Sequence, residues 1–271
     1  MAAVSVIAIA GSDPSGGAGV QADLRVFSAL GIAGLSAVTA LTVQNSQGIQ
    51  AVHPIEPGAL TAQLDALFSD RIPEAVKIGM LGGEPQVKAV AAVLRAHRPP
   101  HIVLDPILAS SSGTPLIDPP GFRALTTDLM PLCDLVTPNL AEAARLTGLN
   151  VESTQDMRAA GEKLLAMGAK AALVTGGHLA GTPTDVLVTK PERAIVVQEF
   201  RRMRVHTEHT HGTGCFLSSA IAAYLAFGAS LVEAADIAGA LLNTALRSPV
   251  ISGKGRGYPD VSAAIRRKQM D

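Results

Sequence analysis

From Val4 to Leu246 the chain repeats one pattern: a short apolar run, a turn, then a stretch with apolar residues at helical spacing. "VSVIAIA" (Val4–Ala10) reads as a buried strand, and Val20, Leu24 and Phe27 follow at helical steps until Gly31 ends the segment. Further strands are predicted at Leu35–Val43, Ala75–Gly79, His101–Leu104, Leu135–Thr137 and Ala171–Thr175. Helices are predicted around Leu60, Leu64 and Leu67, and over Gln86–Ala96, Ala141–Leu146, Met157–Met167, Phe216–Phe227 and Leu231–Leu246, with a basic ending at Ile265–Lys268. Strands that alternate with helices pair in parallel, because a helical crossover returns the chain to the same end of the sheet. The pattern therefore predicts an α/β fold, with a mainly parallel sheet covered by helices on both faces. Asp185–Thr189 and Ala194–Glu199, separated by Lys190-Pro191-Glu192-Arg193, predict an antiparallel hairpin at a sheet edge. No linker or repeat divides residues 1–271, so a single domain is expected.

Sheets of this kind bind ligands beyond the carboxyl ends of their strands. The residues that immediately follow the predicted strands are the ones to search: Gly11–Gly19, Gln44-Asn45, Gly79-Met80, Asp105, Pro138-Asn139 and Gly176-Gly177. The ligand class is bounded by charge. Lys plus Arg total 22 against 23 Asp plus Glu, a net charge of −1, with no basic stripe for a nucleic acid. Aromatic residues are 3% and Trp is absent, so there is no stacking platform for single strands. No apolar stretch is long enough to span a membrane. "MAAVSVIAIAGSD" lacks the basic start of a secretory signal. Two cysteines cannot build a disulfide framework, and a cytoplasmic enzyme acting on a small molecule is expected.

"THGTGCFL" (Thr210–Leu217) is the most chemically loaded stretch. Gly212, Thr213 and Gly214 turn into a helix whose first N–H groups lack partners and carry the positive end of the dipole, a setting for a phosphate or a transferring phosphoryl group. Cys215 falls in that first turn, where its thiol is expected to have a lowered pKa and to act as a base. An ordinary glycine turn beside a buried cysteine would leave the same trace. Asn139 and Glu142 in "TPNLAEAARLTG" share one face of a first helical turn, where they either hold Mg²⁺ through water or simply cap the helix. Asp105, at a strand end before Pro106, is a second candidate hard ligand with the same two readings. Thr175, Gly176 and Gly177 are candidate neighbours of nucleotide phosphates, while Asp13 and Ser15 read as turn residues and Cys133 as core. His206, His209 and His211 do not complete a metal site. Neither a P-loop nor a dinucleotide-binding glycine fingerprint is present.

Taken in order, "AGSDPSGGAGVQADL", "TALTVQN", "KIGML", "VLDP", "TPNLAEAARLTG", "GGH" and "THGTGC" make the chain resemble the hydroxymethylpyrimidine/phosphomethylpyrimidine kinases of the ribokinase-like superfamily, from about Val6 to Gly257. The resemblance implies a three-layer αβα sandwich, commonly a homodimer. It also implies transfer of the ATP γ-phosphoryl group, with Mg²⁺, to 4-amino-5-hydroxymethyl-2-methylpyrimidine and then to its monophosphate, in thiamine biosynthesis. Carried over by position, Gly212–Cys215 resembles the anion hole, with Cys215 where sugar kinases of the superfamily use an aspartate base. Gln44 resembles the residue that meets the pyrimidine's amino edge, which suits an amide that both donates and accepts. Asp23, Ala18, Val43 and Met80 resemble the rest of that pocket. Asp105, Asn139 and Glu142 resemble the Mg²⁺ and phosphate ligands, Thr175–Gly177 the nucleotide side, and Lys254 part of the family's Gly-Lys-Gly segment.

Two positions depart from the family pattern. Ser111 and Thr175 stand where many members carry lysine, which predicts a weaker second phosphorylation because a doubly anionic site has lost positive charge. A pyridoxal or pyridoxine kinase of the same superfamily is the alternative reading. A non-catalytic pyrimidine- or nucleotide-binding regulator is the alternative from a different class.

Overall fold

The computed structural model describes residues 3–110, 113–192 and 194–268. Strand β1 (Ser5–Ser12) is the third strand from one edge of a nine-stranded sheet, and its alternation separates two cores. Val6, Ala8 and Ala10 face one layer of helices, while Ile7 and Ile9 face the other. Both faces are therefore covered, and the uninterrupted apolar run of Val6–Ala10 is explained.

The chain then runs α1 (Gly19–Ala29), β2 (Ala33–Asn45), β3 (Gly48–Pro54), α2 (Pro57–Asp70), β4 (Ala75–Ile78), α3 (Glu84–His97), β5 (Ile102–Leu104), α4 (Pro119–Ala124), β6 (Leu135–Val136), α5 (Leu140–Thr147), α6 (Thr154–Ala166) and β7 (Ala171–Val174). It closes with β8 (Thr184–Thr189), β9 (Val196–Arg201), α7 (Thr213–Ala226), α8 (Leu231–Ala245), the two-residue strands β10 (Pro249–Val250) and β11 (Tyr258–Pro259), and α9 (Val261–Lys268). The sheet order is β3-β2-β1-β4-β5-β6-β7-β8-β9. Strands β2, β1, β4, β5, β6 and β7 are parallel neighbours, so their carboxyl ends form one rim. β3 pairs antiparallel at one edge, and β8 and β9 form the expected hairpin at the other. The three-layer αβα, ribokinase-like arrangement implied by the resemblance is the arrangement found.

Helices α1, α7, α8 and α9 pack on one face, and α2, α3 and α4 on the other. Helix α7 is buried on nearly every side from Cys215 to Ala223, including Ser218 and Ser219. A helix apolar all round belongs inside the molecule, and α7 runs inward from its N-terminus at the rim. It begins at Thr213, earlier than the apolar residues alone suggest, because Gly212 acts as its N-cap. The edge strand β3 was not expected. "GIQAVHP" carries no apolar alternation, and the strand is held by backbone pairing with β2.

Candidate active site

A cavity of about 1090 Å³ opens along the rim, large enough for two small substrates side by side. Gly212, Thr213, Gly214 and Cys215 line its floor, with Asp105, Asn139 and Glu142 beside them. Ala18, Gln44 and Met80 line one end, and Thr175, Gly177 and His178 the other. The sequence candidates that meet here are thus far apart in the chain and adjacent in space.

The backbone geometry of the floor follows from Gly212, whose φ of 72° lies in the left-handed region. The Phe216 N–H closes the first helical bond onto the Gly212 carbonyl at 2.9 Å. The N–H groups of Gly214 and Cys215 find no carbonyl among the described residues, as expected at a helix start. The Gly19 backbone amide, at the start of α1, favours the ionised form of the Cys215 sulfur.

Nevertheless the thiol is not lowered, contrary to the expectation from sequence. Burial pushes it up to about 12, Lys77 opposes the rise, and the carboxylates of Asp105 and Asp23 add to it. Desolvation and two nearby acids outweigh the helix dipole. Asp105 is itself pushed up to about 6, first by burial, with Lys77 opposing and Asp23 adding. Its Oδ2 lies 3.3 Å from Ser218 Oγ in α7.

Asn139 and Glu142 form a reciprocal capping box on α5. The Glu142 N–H donates to Asn139 Oδ1 at 3.0 Å, and the Asn139 N–H to Glu142 Oε2 at 2.9 Å. Capping does not remove Glu142 from the cavity. Burial, and then the charge of Asp105, push its carboxyl up to about 8. No group of three or more His, Cys, Asp or Glu arranged to hold a metal occurs among the described residues. Two acids that disfavour each other's ionisation do fit a hard divalent cation that keeps most of its water.

The raised value has a measurable consequence. Folded Glu142 keeps its proton between the ordinary 4.5 and about 8, whereas the unfolded chain releases it. Its contribution to stability therefore declines as pH rises through that window. Melting temperatures from about pH 5 to 9 should fall more steeply in the parent protein than in Glu142→Gln. Parallel curves would mean that Glu142 ionises normally.

Four candidates lie off the wall. Asp23 is fully buried beneath the floor, 2.8 Å from Lys77 Nζ and 2.7 Å from Ser219 Oγ, so it braces α1, β4 and α7 and does not face the cavity. Val43 points away because side chains alternate along β2: Thr42 and Gln44 face the cavity, and Val43 faces outward at 45% exposure. Gly176 sits behind Thr175 and donates its N–H to Asp185 at 2.9 Å. Lys254 is exposed, and Arg256 of the same segment lines the cavity in its place. That segment is tied to the acceptor end, since the Gly255 N–H donates to Ser46 Oγ at 3.0 Å. Ser111 lies outside the described residues.

Two wall residues, Asp13 and His211, and the buried Lys77 were not singled out as site residues from sequence. Asp13 accepts from the Ser15 and Ala18 amides, as a turn residue does, and its Oδ2 also lies 2.9 Å from His211 Nε2. His211 Nε2 lies 3.3 Å from Gln44 Nε2, so the glycine loop, the anion hole and the amide form one network. Lys77, with its Nζ wholly buried against Asp23, is held charged by that pairing. A lysine within the apolar run "AVKIG" was the available signal, because a buried ammonium requires a partner.

Comparison with known proteins shows the family. The family model for phosphomethylpyrimidine kinase matches residues 13–260. The hydroxymethylpyrimidine/phosphomethylpyrimidine kinase of Salmonella typhimurium is 44% identical over 263 residues, covering 96% of this chain and 97% of that protein. The crystal structure of the Clostridium difficile phosphomethylpyrimidine kinase superposes with a TM-score of 0.77 at 38% identity, covering 87% of this chain and 96% of that one. The Staphylococcus aureus pyridoxal kinase, in complex with ADP, superposes with a TM-score of 0.89 at 31% identity, covering 98% and 96%. The backbone is thus common to both specificities, whereas sequence identity is higher to the pyrimidine kinases. The chain belongs to the phosphomethylpyrimidine kinase family.

Proposed function

We propose that the protein transfers the γ-phosphoryl group of ATP to the hydroxymethyl group of 4-amino-5-hydroxymethyl-2-methylpyrimidine, and then phosphorylates the monophosphate, in thiamine biosynthesis. One observation carries the reading: the unpaired amides of Gly214 and Cys215 and the Cys215 sulfur share a cavity floor, with Gln44 at one end and Thr175 and Gly177 at the other. The amides are placed to gather the charge that builds on a transferring phosphoryl group. Cys215, once ionised to its thiolate, takes the alcohol's proton as attack proceeds. Asp105 and Glu142, with Asn139, would hold Mg²⁺, which when bound supplies positive charge to the phosphate oxygens. Gln44, supported by the Thr42 hydroxyl at 3.2 Å, meets the amino edge of the ring, with Ala18 and Met80 against its apolar parts.

The test is to supply Mg²⁺·ATP with the aminopyrimidine alcohol, its monophosphate, pyridoxal or pyridoxine, and to identify the products. The aminopyrimidine alcohol should give the highest kcat/KM, and the monophosphate a lower one because Thr175 contributes no ammonium. A higher kcat/KM for pyridoxal would replace this reading with the pyridoxal kinase alternative. Gln44→Leu should raise the KM for the aminopyrimidine about 10- to 100-fold with kcat little changed, as expected when a buried donor and acceptor lose their partner. An unchanged KM would move the ring elsewhere.

We further infer a homodimer and a cytoplasmic location. Leu41 and Val43 expose apolar surface along β2, which suits a subunit contact. Cys133 and Cys215 are both buried and unpaired, which suits a reducing compartment. Among the described residues no helix is long and apolar enough to cross a membrane.

A further inference from the structure

At the end of the cavity opposite Gln44, one arginine holds a turn in shape. Residues 177–181, which follow β7, contain little internal bonding: Leu179 N–H donates to Gly176 O at 3.0 Å, and Gly181 has φ of 96°. Arg204 supplies the rest. Its Nη1 donates to Gly177 O at 3.0 Å, its Nη2 to Leu179 O at 2.6 Å and Gly181 O at 2.8 Å, and its Nε to Gly181 O at 3.2 Å. The segment that carries it is anchored in turn. The Arg202 N–H donates to Pro183 O at 3.0 Å, and Asn243 Nδ2 to Met203 O at 2.8 Å.

The partners of Arg204 are all backbone carbonyls. Arg71, Arg158, Arg201 and Arg202 each find a carboxylate. Among the described residues Arg204 finds none, and its guanidinium is met only by neutral carbonyls. Surface arginines without a carboxylate are common. One that spends its fork on a single turn, beside Gly177 and His178 in the cavity wall, is arranged for shape.

The geometry points to Arg204 as a positioning residue for nucleotide binding: its fork fixes the 177–181 turn in the form that receives the polyphosphate of ATP or ADP, and its uncompensated charge favours the anion there. This rests on the reading of Thr175–Gly177 as the nucleotide side. Lysine in its place would keep the charge but, as a compact ammonium on a flexible stem, could not span the turn.

The intact chain and its Arg204→Lys and Arg204→Gln variants should be titrated with ADP by calorimetry, and amide exchange followed across 177–181 with and without ADP. Both variants should bind ADP about 10- to 100-fold more weakly, the loss expected for hydrogen bonds to a charged group. Without ligand their 177–181 amides should exchange faster than the parent's. The KM for the aminopyrimidine should stay within about threefold, which a general loss of structure would not allow. Parent-like ADP affinity in the lysine variant would show that charge alone matters, and parent-like affinity in both would remove any role; either result overturns the proposal. If ADP binds the parent protein but slows no amide in 177–181, the nucleotide lies elsewhere, and the placement of the site fails before Arg204 is at issue.

Discussion

Cys215→Ala is expected to lower kcat by about 10²- to 10⁴-fold while ATP and acceptor bind almost as before. Removing the sulfur leaves the Gly214 and residue-215 amides in place, so the phosphate still meets its donors. What is lost is the group that takes the proton. Because burial holds the thiol up at about 12, thiolate is scarce near neutral pH, and a rate that depends on it should climb with pH. Above about pH 8, where Asp105 (about 6) and Glu142 (about 8) are ionised, the parent's kcat should still rise and the alanine variant's should be flat. Single-turnover rates at saturating substrates, with dissociation constants measured separately, distinguish the two. A variant that keeps most of its rate would pass the role of base to Asp105, which lines the same cavity.

How far the sequence reveals this site depends on whether a residue's role is local. The β/α alternation, the hairpin of β8 and β9 and the start of α5 follow from period and capping signals within a few residues. The helix start at Gly212–Cys215 was readable for the same reason, although an ordinary glycine turn would leave the same trace and only the fold places it on the cavity. The protonation of Cys215 was not readable. It is set by Lys77, Asp105 and Asp23, on β4, after β5 and on α1, and only the fold adds their charges to the cost of burial. Asp23 failed as a pocket residue on the same ground, since its partner Lys77 lies 54 positions away. Val43 illustrates a finer limit. A one-residue step along β2 decides which face a side chain takes, and membership of the motif does not specify that step. Arg204 has no signature in sequence, because its partners are the carbonyls of a separate turn.

Gly212→Ala should damage both the fold and the chemistry, the latter more. A Cβ at this residue would lie 1.9 Å from the carbonyl oxygen of Gly17 and 3.0 Å from its carbon, both backbone atoms that cannot rotate away. The left-handed φ of 72° adds strain for any residue with a side chain. Together these should cost on the order of 2–4 kcal/mol and lower Tm by about 4–8 °C. Relief requires the start of α7 to move away from the Gly17–Ala18 loop, and that movement carries the Gly214 and Cys215 amides with it. A displacement of about 1 Å in such donors costs roughly 10²-fold, and loss of one donor 10²- to 10³-fold, so kcat should fall by about 10³. Gly177→Ala is the control. It lies on the same cavity, no atom stands within 4 Å of its added Cβ, and Tm should stay within about 1 °C of the parent. If Gly212→Ala folds and keeps kcat within about fivefold of the parent, the amides at the head of α7 do not hold the transferring group, because oxyanion donors are not so tolerant of displacement. The phosphoryl site would then have to be sought among the wall residues nearer Thr175.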